Sequence, residues 1–151
     1  MRTLSLFLIV TSGGFLLAGD KPDYSGTWRT EGSSTSDAAI QIQLKDKEIH
    51  LRDAGNAEEI VCNTAGKECQ IKLEGKPAKV SYYYNGPMLV EWRLEGKDGK
   101  HVTKIRRKLS EDGRKMTVEI MPINPQGSTR EVTYIRIDDP PAADQSATAK
   151  R

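Results

Sequence analysis

The sequence predicts an all-β fold: a single antiparallel up-and-down (meander) barrel of about eight to ten short strands. Three observations carry that expectation. Apolar residues alternate with polar ones at period two, most cleanly where Ile40, Ile42 and Leu44 face away from Gln41 and Gln43. Turn-forming clusters of Gly, Asn, Asp, Ser and Pro punctuate the chain at short intervals, and no stretch keeps a helical period. The 151 residues suit one domain, and with 36% apolar against 29% charged residues the hydrophobic set must be spaced economically. Strand alternation does this, and a meander avoids exposed edges most simply by curling closed on itself.

Taken in order, Lys21-Pro22-Asp23 is a lead-in and the run from Tyr24 to Thr30 is the first strand. Glu31 to Asp37 is all turn chemistry, and Ala39 to Leu44 forms the second strand. Lys45-Asp46-Lys47 turns tightly into a third strand carrying Ile49 and Leu51. Gly55-Asn56 reverses the chain into Glu58 to Asn63, which aligns Ile60 with Cys62, and Glu68 to Leu73 aligns Cys69, Ile71 and Leu73. Lys79 to Glu95 is a hairpin about Asn85-Gly86-Pro87, where Asn and Gly tolerate positive φ and proline lacks an amide hydrogen. On its first arm Val80, Tyr82 and Tyr84 share a face. On its second, Val90, Trp92 and Leu94 lie opposite Glu91, Arg93 and Glu95. His101 to Leu109 follows, with Lys104, Arg106 and Lys108 on one side and Thr103, Ile105, Arg107 and Leu109 on the other. After the turn Ser110 to Gly113, Met116, Val118 and Ile120 line another strand. Pro122 to Gly127 reads as a longer loop, and Thr129 to Ile137 closes the regular structure.

The two ends read differently from the middle. Residues 1–19 have the form of an export signal, with Arg2, the apolar run Leu4 to Val10, a second apolar piece from Phe15, and small residues at Ala18-Gly19. Thr11-Ser12-Gly13-Gly14 breaks the run short of the roughly 20 apolar residues of a spanning helix. Residues 20–137 are then the barrel domain. Residues 138–151, with two prolines and no large apolar side chain, form a tail expected to be disordered.

The 23 basic and 21 acidic side chains nearly balance, and losing the leader removes only Arg2, which argues against a dedicated polyanion or nucleic-acid binder. Cys62 and Cys69 lie beyond the leader. In an exported chain their spacing predicts a disulfide closing a hairpin end, a local clip. Zinc would want four ligands, and no other cysteine or nearby histidine completes a set.

Gly26-Thr27-Trp28 resembles the Gly-x-Trp signature of lipocalins, and Tyr134-Ile135-Arg136 resembles the late lipocalin strand whose arginine covers that tryptophan. From Tyr24 to Arg136 the chain resembles small exported bacterial lipocalin-like (calycin-type) proteins. The resemblance implies an end-cap in which Arg136, or failing it Arg130, stacks on Trp28 and shuts one end of the barrel. It also implies a monomeric barrel that binds a small hydrophobic or amphipathic molecule without a cofactor.

Tyr82, Tyr84 and Trp92 are candidates to line such a pocket, since aromatic rings supply apolar area with a polar tip. Arg107 is a candidate to hold a carboxylate or phosphate head group through its fork of donors. The competing use of the same residues is plain core filling in a barrel too narrow for a ligand. Lys104, Arg106 and Lys108 make an outer basic stripe suited to solvation or edge protection. His50 with Glu48 and Asp46 does not converge as metal ligands on a flat strand. With two histidines, His50 and His101, and no nucleophile elbow or phosphate-cradling loop, the sequence is not that of an enzyme. A second function class is open: an envelope interaction module, such as an inhibitor of a secreted hydrolase, using Glu31 to Asp37 and Pro122 to Gly127 as contact loops.

Overall fold

The computed structural model describes residues 21–137 apart from positions 35–38, 54, 57 and 97; the expected leader and tail lie outside the described residues. Ten antiparallel strands make one sheet: β1 (Gly26–Thr30), β2 (Ala39–Lys45), β3 (Glu48–Asp53), β4 (Ile60–Asn63), β5 (Cys69–Leu73), β6 (Lys76–Asn85), β7 (Met88–Glu95), β8 (His101–Leu109), β9 (Lys115–Asn124) and β10 (Arg130–Arg136). Their spatial order is β4-β3-β2-β1-β10-β9-β8-β7-β6-β5. Each strand pairs with its sequence neighbour except at one place, and β1 pairs with β10 through Trp28 opposite Arg136. The result is an up-and-down barrel with a single unpaired seam, between β4 and β5.

Alternation positions the core. Ile42, Ile49, Leu51, Ile60, Val80, Ile105, Met116 and Val118 turn inward and are buried, while Gln41, Gln43, Lys79 and Lys108 remain outside. The β6–β7 hairpin uses a two-residue turn in which Gly86 takes a φ of 58°, and this sets Asn85 opposite Met88, Tyr84 opposite Leu89 and Tyr82 opposite Glu91. The expected loop at Pro122 begins later than the sequence suggests. Strand β9 runs on to Asn124, and a bulge between Val102 and Thr103 lets β8 pair past Pro122, which has no amide hydrogen to contribute.

The disulfide forms, with S–S 2.08 Å and Cα atoms 5.7 Å apart, but it does not clip a hairpin. Strands β4 and β5 share no ladder. They are the two edges of the sheet, and Cys62–Cys69 is the covalent bond that joins them. Their connection instead reaches β6, where Gly66 donates to Tyr82 O at 2.8 Å and Ala65 bridges to Tyr83.

Candidate functional site

One end of the barrel is sealed. Trp28 is fully buried and donates its indole N–H to Tyr24 O at 3.0 Å. Arg136 lies over the ring, with Cζ 4.5 Å from the centroid, and its guanidinium donates to Gly113 O (3.1 Å), Ser25 O (2.8 Å) and Asp23 O (3.4 Å). Arg130 stands near the opposite end of β10, across from Ile120.

Tyr24 completes the seal. Its ring is buried, and its hydroxyl lies 2.7 Å from Arg107 O and 2.8 Å from Pro87 O while accepting from Leu89 N–H at 3.3 Å. Sequence reasoning placed Tyr24 in the first strand and missed this plug.

Among the described residues the other end is open. A cavity of ≈ 640 Å³ lies among the ends of β3 to β8, with Leu51, Ile60, Leu73, Pro77 and Ala78 as its apolar wall. Asp53, Glu74, Lys76, Arg93, Glu95 and His101 supply its polar lining. Asn56 fastens the mouth across the seam, donating to Lys72 O (3.4 Å) and accepting from Glu74 N–H (3.3 Å).

Beneath Arg93 lies a buried charge cluster. Glu91 is completely buried on the inner face of β7, between the inward positions of Leu89 and Arg93. One carboxylate oxygen accepts from Arg93 Nη2 (2.8 Å) and Nε (2.9 Å), and the other accepts from Arg107 Nη2 (2.7 Å). Burial opposes ionisation of Glu91, yet the charges and hydrogen bonds of Arg107 and Arg93 outweigh it and hold the carboxyl below its ordinary value. Tyr82 is buried beside the cluster with Arg107 Cζ 6.0 Å from its ring centre. Burial, then the Glu91 charge, pushes its phenol far up. Three buried donors here, Arg107 Nε, Arg107 Nη1 and Tyr82 Oη, have no hydrogen-bond partner among the described residues.

The four pocket candidates therefore separate. Tyr82 and Arg107 come together in the interior. Tyr84 belongs to the sealed end, donating to Pro22 O at 3.2 Å and packing 6.3 Å from Tyr24, and burial raises its phenol to about 12.

Trp92 is on the outer face. It pairs with Ser81 and Lys104, donates to Tyr83 Oη at 3.3 Å and carries Lys104 Nζ 5.3 Å from its centroid. The reason is register: Tyr82 sits opposite Glu91, so the polar-looking series Glu91, Arg93, Glu95 faces inward and Trp92 faces out. Of the basic stripe, Lys104 is used by Trp92 and Arg106 pairs with Glu119, while Lys108 is exposed. His50 sits on the outer wall between Glu48 and Glu59 at 3.8 and 3.7 Å.

No protein-family model matches the sequence, and no curated protein matches it. Solved structures do. Secretory abundant heat soluble protein 4 from Ramazzottius varieornatus superimposes with a TM-score of 0.56 at 12% identity, over 76% of this chain and 95% of that one. A REP1-NXSQ fatty acid transporter gives 0.57 at 14% identity, over 77% and 97%. Fatty-acid-binding protein 1 from Echinococcus granulosus gives 0.54 at 13%, over 76% and 97%. The likeness is one of fold. The chain is an all-β, nearly closed up-and-down barrel, and at these identities the comparison extends no further.

Proposed function

We propose that this chain is an exported binding protein that holds a small hydrophobic or amphipathic molecule in the cavity at the open end of its barrel. The observation that carries the reading is the cavity itself. Its ≈ 640 Å³ falls within the roughly 300–1,000 Å³ of small-molecule sites, and it joins an apolar wall to a polar floor. A tail would lie against Leu51, Ile60, Leu73 and Ala78, with the polar end directed at Arg93 and the Tyr82–Glu91–Arg107 cluster behind it.

Support for a binding role comes from the likeness in fold to proteins whose names include a fatty acid transporter and a fatty-acid-binding protein. Support for export comes from the signal-like residues 1–19 and from the disulfide, a bond that persists in oxidising compartments. The alternative, an interaction module working through Glu31 to Asp37 and Pro122 to Gly127, has no specific observation in its favour, and its second loop is shortened because 122–124 belong to β9.

The test is displacement of N-phenyl-1-naphthylamine, an uncharged fluorescent probe, by dodecyl amphiphiles. Binding to wild type should weaken about tenfold or more when Ala78→Trp fills the cavity, since a buried methyl site at 6% exposure leaves the indole nowhere to go but the void. Equal binding by a folded variant would reject the cavity as the site.

A further inference from the structure

Strand β7 carries its charges inward and its apolar residues outward, the reverse of an ordinary barrel wall. Glu91, Arg93 and Glu95 face the interior, and Val90, Trp92 and Leu94 face out. An apolar series on an outer face marks a surface that something else covers. The described residues form a single sheet, so no second layer among them lies over it. The strip extends sideways. Val102 of β8 lies opposite Leu94, Met121 of β9 lies opposite Lys104, and Ile123, which the β8–β9 register passes over, is 46% exposed. Val90 is buried yet takes no part in the interior cluster, which leaves the outer strip as its setting.

The charges beside this strip have one sign. The outward side chains of β6, β7 and β8 include Lys79, Lys104, Arg106 and Lys108 and no acid. Lys79 pairs with Glu68 and Arg106 with Glu119, while Lys104 and Lys108 have no carboxylate partner among the described residues. The Lys104 ammonium lies 5.3 Å from the centre of the Trp92 ring, and the indole N–H donates to Tyr83 Oη at 3.3 Å. A lysine, an indole and a phenol therefore stand together on one wall. That wall also reaches the cavity: Leu94 and Val102 adjoin Glu95 and His101, which line it.

We propose that the outer wall of β7 and β8 docks on an anionic lipid surface, with Trp92 entering the head-group layer and Lys104 and Lys108 meeting the negative head groups. Three features favour lipid over a second copy of the chain. Two such faces brought together would set lysines against lysines. Tryptophan and tyrosine settle where an apolar medium meets a wet one, and the Trp92–Tyr83 pair offers both. Each lysine near an anionic membrane adds attraction of about 1 kcal/mol. Docking by this wall also sets the cavity mouth beside the lipid. The inference goes beyond the binding role proposed above and stands without it.

The experiment uses vesicles of phosphatidylcholine mixed with phosphatidylglycerol, brominated on the acyl chains so that they quench any indole they touch. Trp28, fully buried at the sealed end, serves as the internal reference. Mixed vesicles should quench part of the tryptophan emission, and Trp92→Phe should abolish that quenching. Lys104→Glu combined with Lys108→Glu, two changes on the outer wall, should weaken vesicle binding by about tenfold or more, to the level that wild type shows on pure phosphatidylcholine. Absent quenching, quenching that persists in Trp92→Phe, or equal binding by the lysine variant overturns the inference. Dimerisation that depends on Trp92 without vesicle binding assigns the face to a second copy and overturns it too. None of the three residues lines the cavity, so displacement of the naphthylamine probe should be unchanged in these variants, and the docking and binding roles are read separately.

Discussion

The two ends of the barrel both rest on arginine, and they use it in opposite ways. At the sealed end every donating nitrogen of Arg136 reaches a backbone carbonyl, and its flat face is spent on Trp28. Toward the open end Arg93, which lines the cavity, shares one carboxylate with the deeper Arg107, and Arg107 keeps two buried nitrogens without a partner among the described residues. A saturated guanidinium is a structural fixture. An incompletely saturated, buried one is held by its ion pair with Glu91, and burial of its remaining donors carries a cost.

The contrast can be broken most forcefully at the sealed end. Trp28→Ala should lower unfolding free energy by about 3–5 kcal/mol, because a fully buried indole is lost together with its hydrogen bond to Tyr24. Chemical denaturation measures this, and an unchanged midpoint would show that the plug is not structural.

The next effect belongs to the seam. Replacing both cysteines by serine should cost about 2–3 kcal/mol, the entropy of a short closed loop. Amide exchange should quicken in β4 and β5 while the β1–β10 ladder stays protected. Uniform acceleration across the sheet would mean that the seam is no weaker than the rest.

The third effect is full at neutral pH and fades in acid. The unfolded chain binds a proton at Glu91 more readily than the folded one, since the native value lies below the ordinary 4.5. Its stabilisation is therefore complete above that value and is lost as pH falls through the native one. The difference in melting temperature between wild type and Glu91→Gln should narrow between pH 7 and about pH 3. A constant gap would mean that Glu91 is not an ionised partner of the arginines.

Much of this arrangement was legible in the chain. Ile40, Ile42 and Leu44 declare their face by alternation, the Trp28–Arg136 contact follows from a short motif and a late arginine, and the cysteine pair declares a bridge. The inner face of β7 was not read correctly, because polarity is a poor guide where charges neutralise one another. Glu91 and Arg107 are 16 residues apart, and their pairing exists only once β7 and β8 are in register. The signal was nonetheless present in the turn. A two-residue reversal at Gly86-Pro87 sets Asn85 against Met88, and counting back places Tyr82 against Glu91 and leaves Trp92 outside. The role of the disulfide was hidden for a topological reason: neighbours in sequence are ordinarily neighbours in a meander, and here alone they are not.

That exception makes the covalent order of the chain and the order of the wall two different things. Hydrogen bonds already unite the first strand with the last, so the ribbon's free ends fall near the middle of the polypeptide, at β4 and β5. A circular permutant opened between Thr64 and Glu68, with residues 137 and 21 linked, would keep every strand ladder. It would also turn Cys62–Cys69 into a bolt between its own new termini.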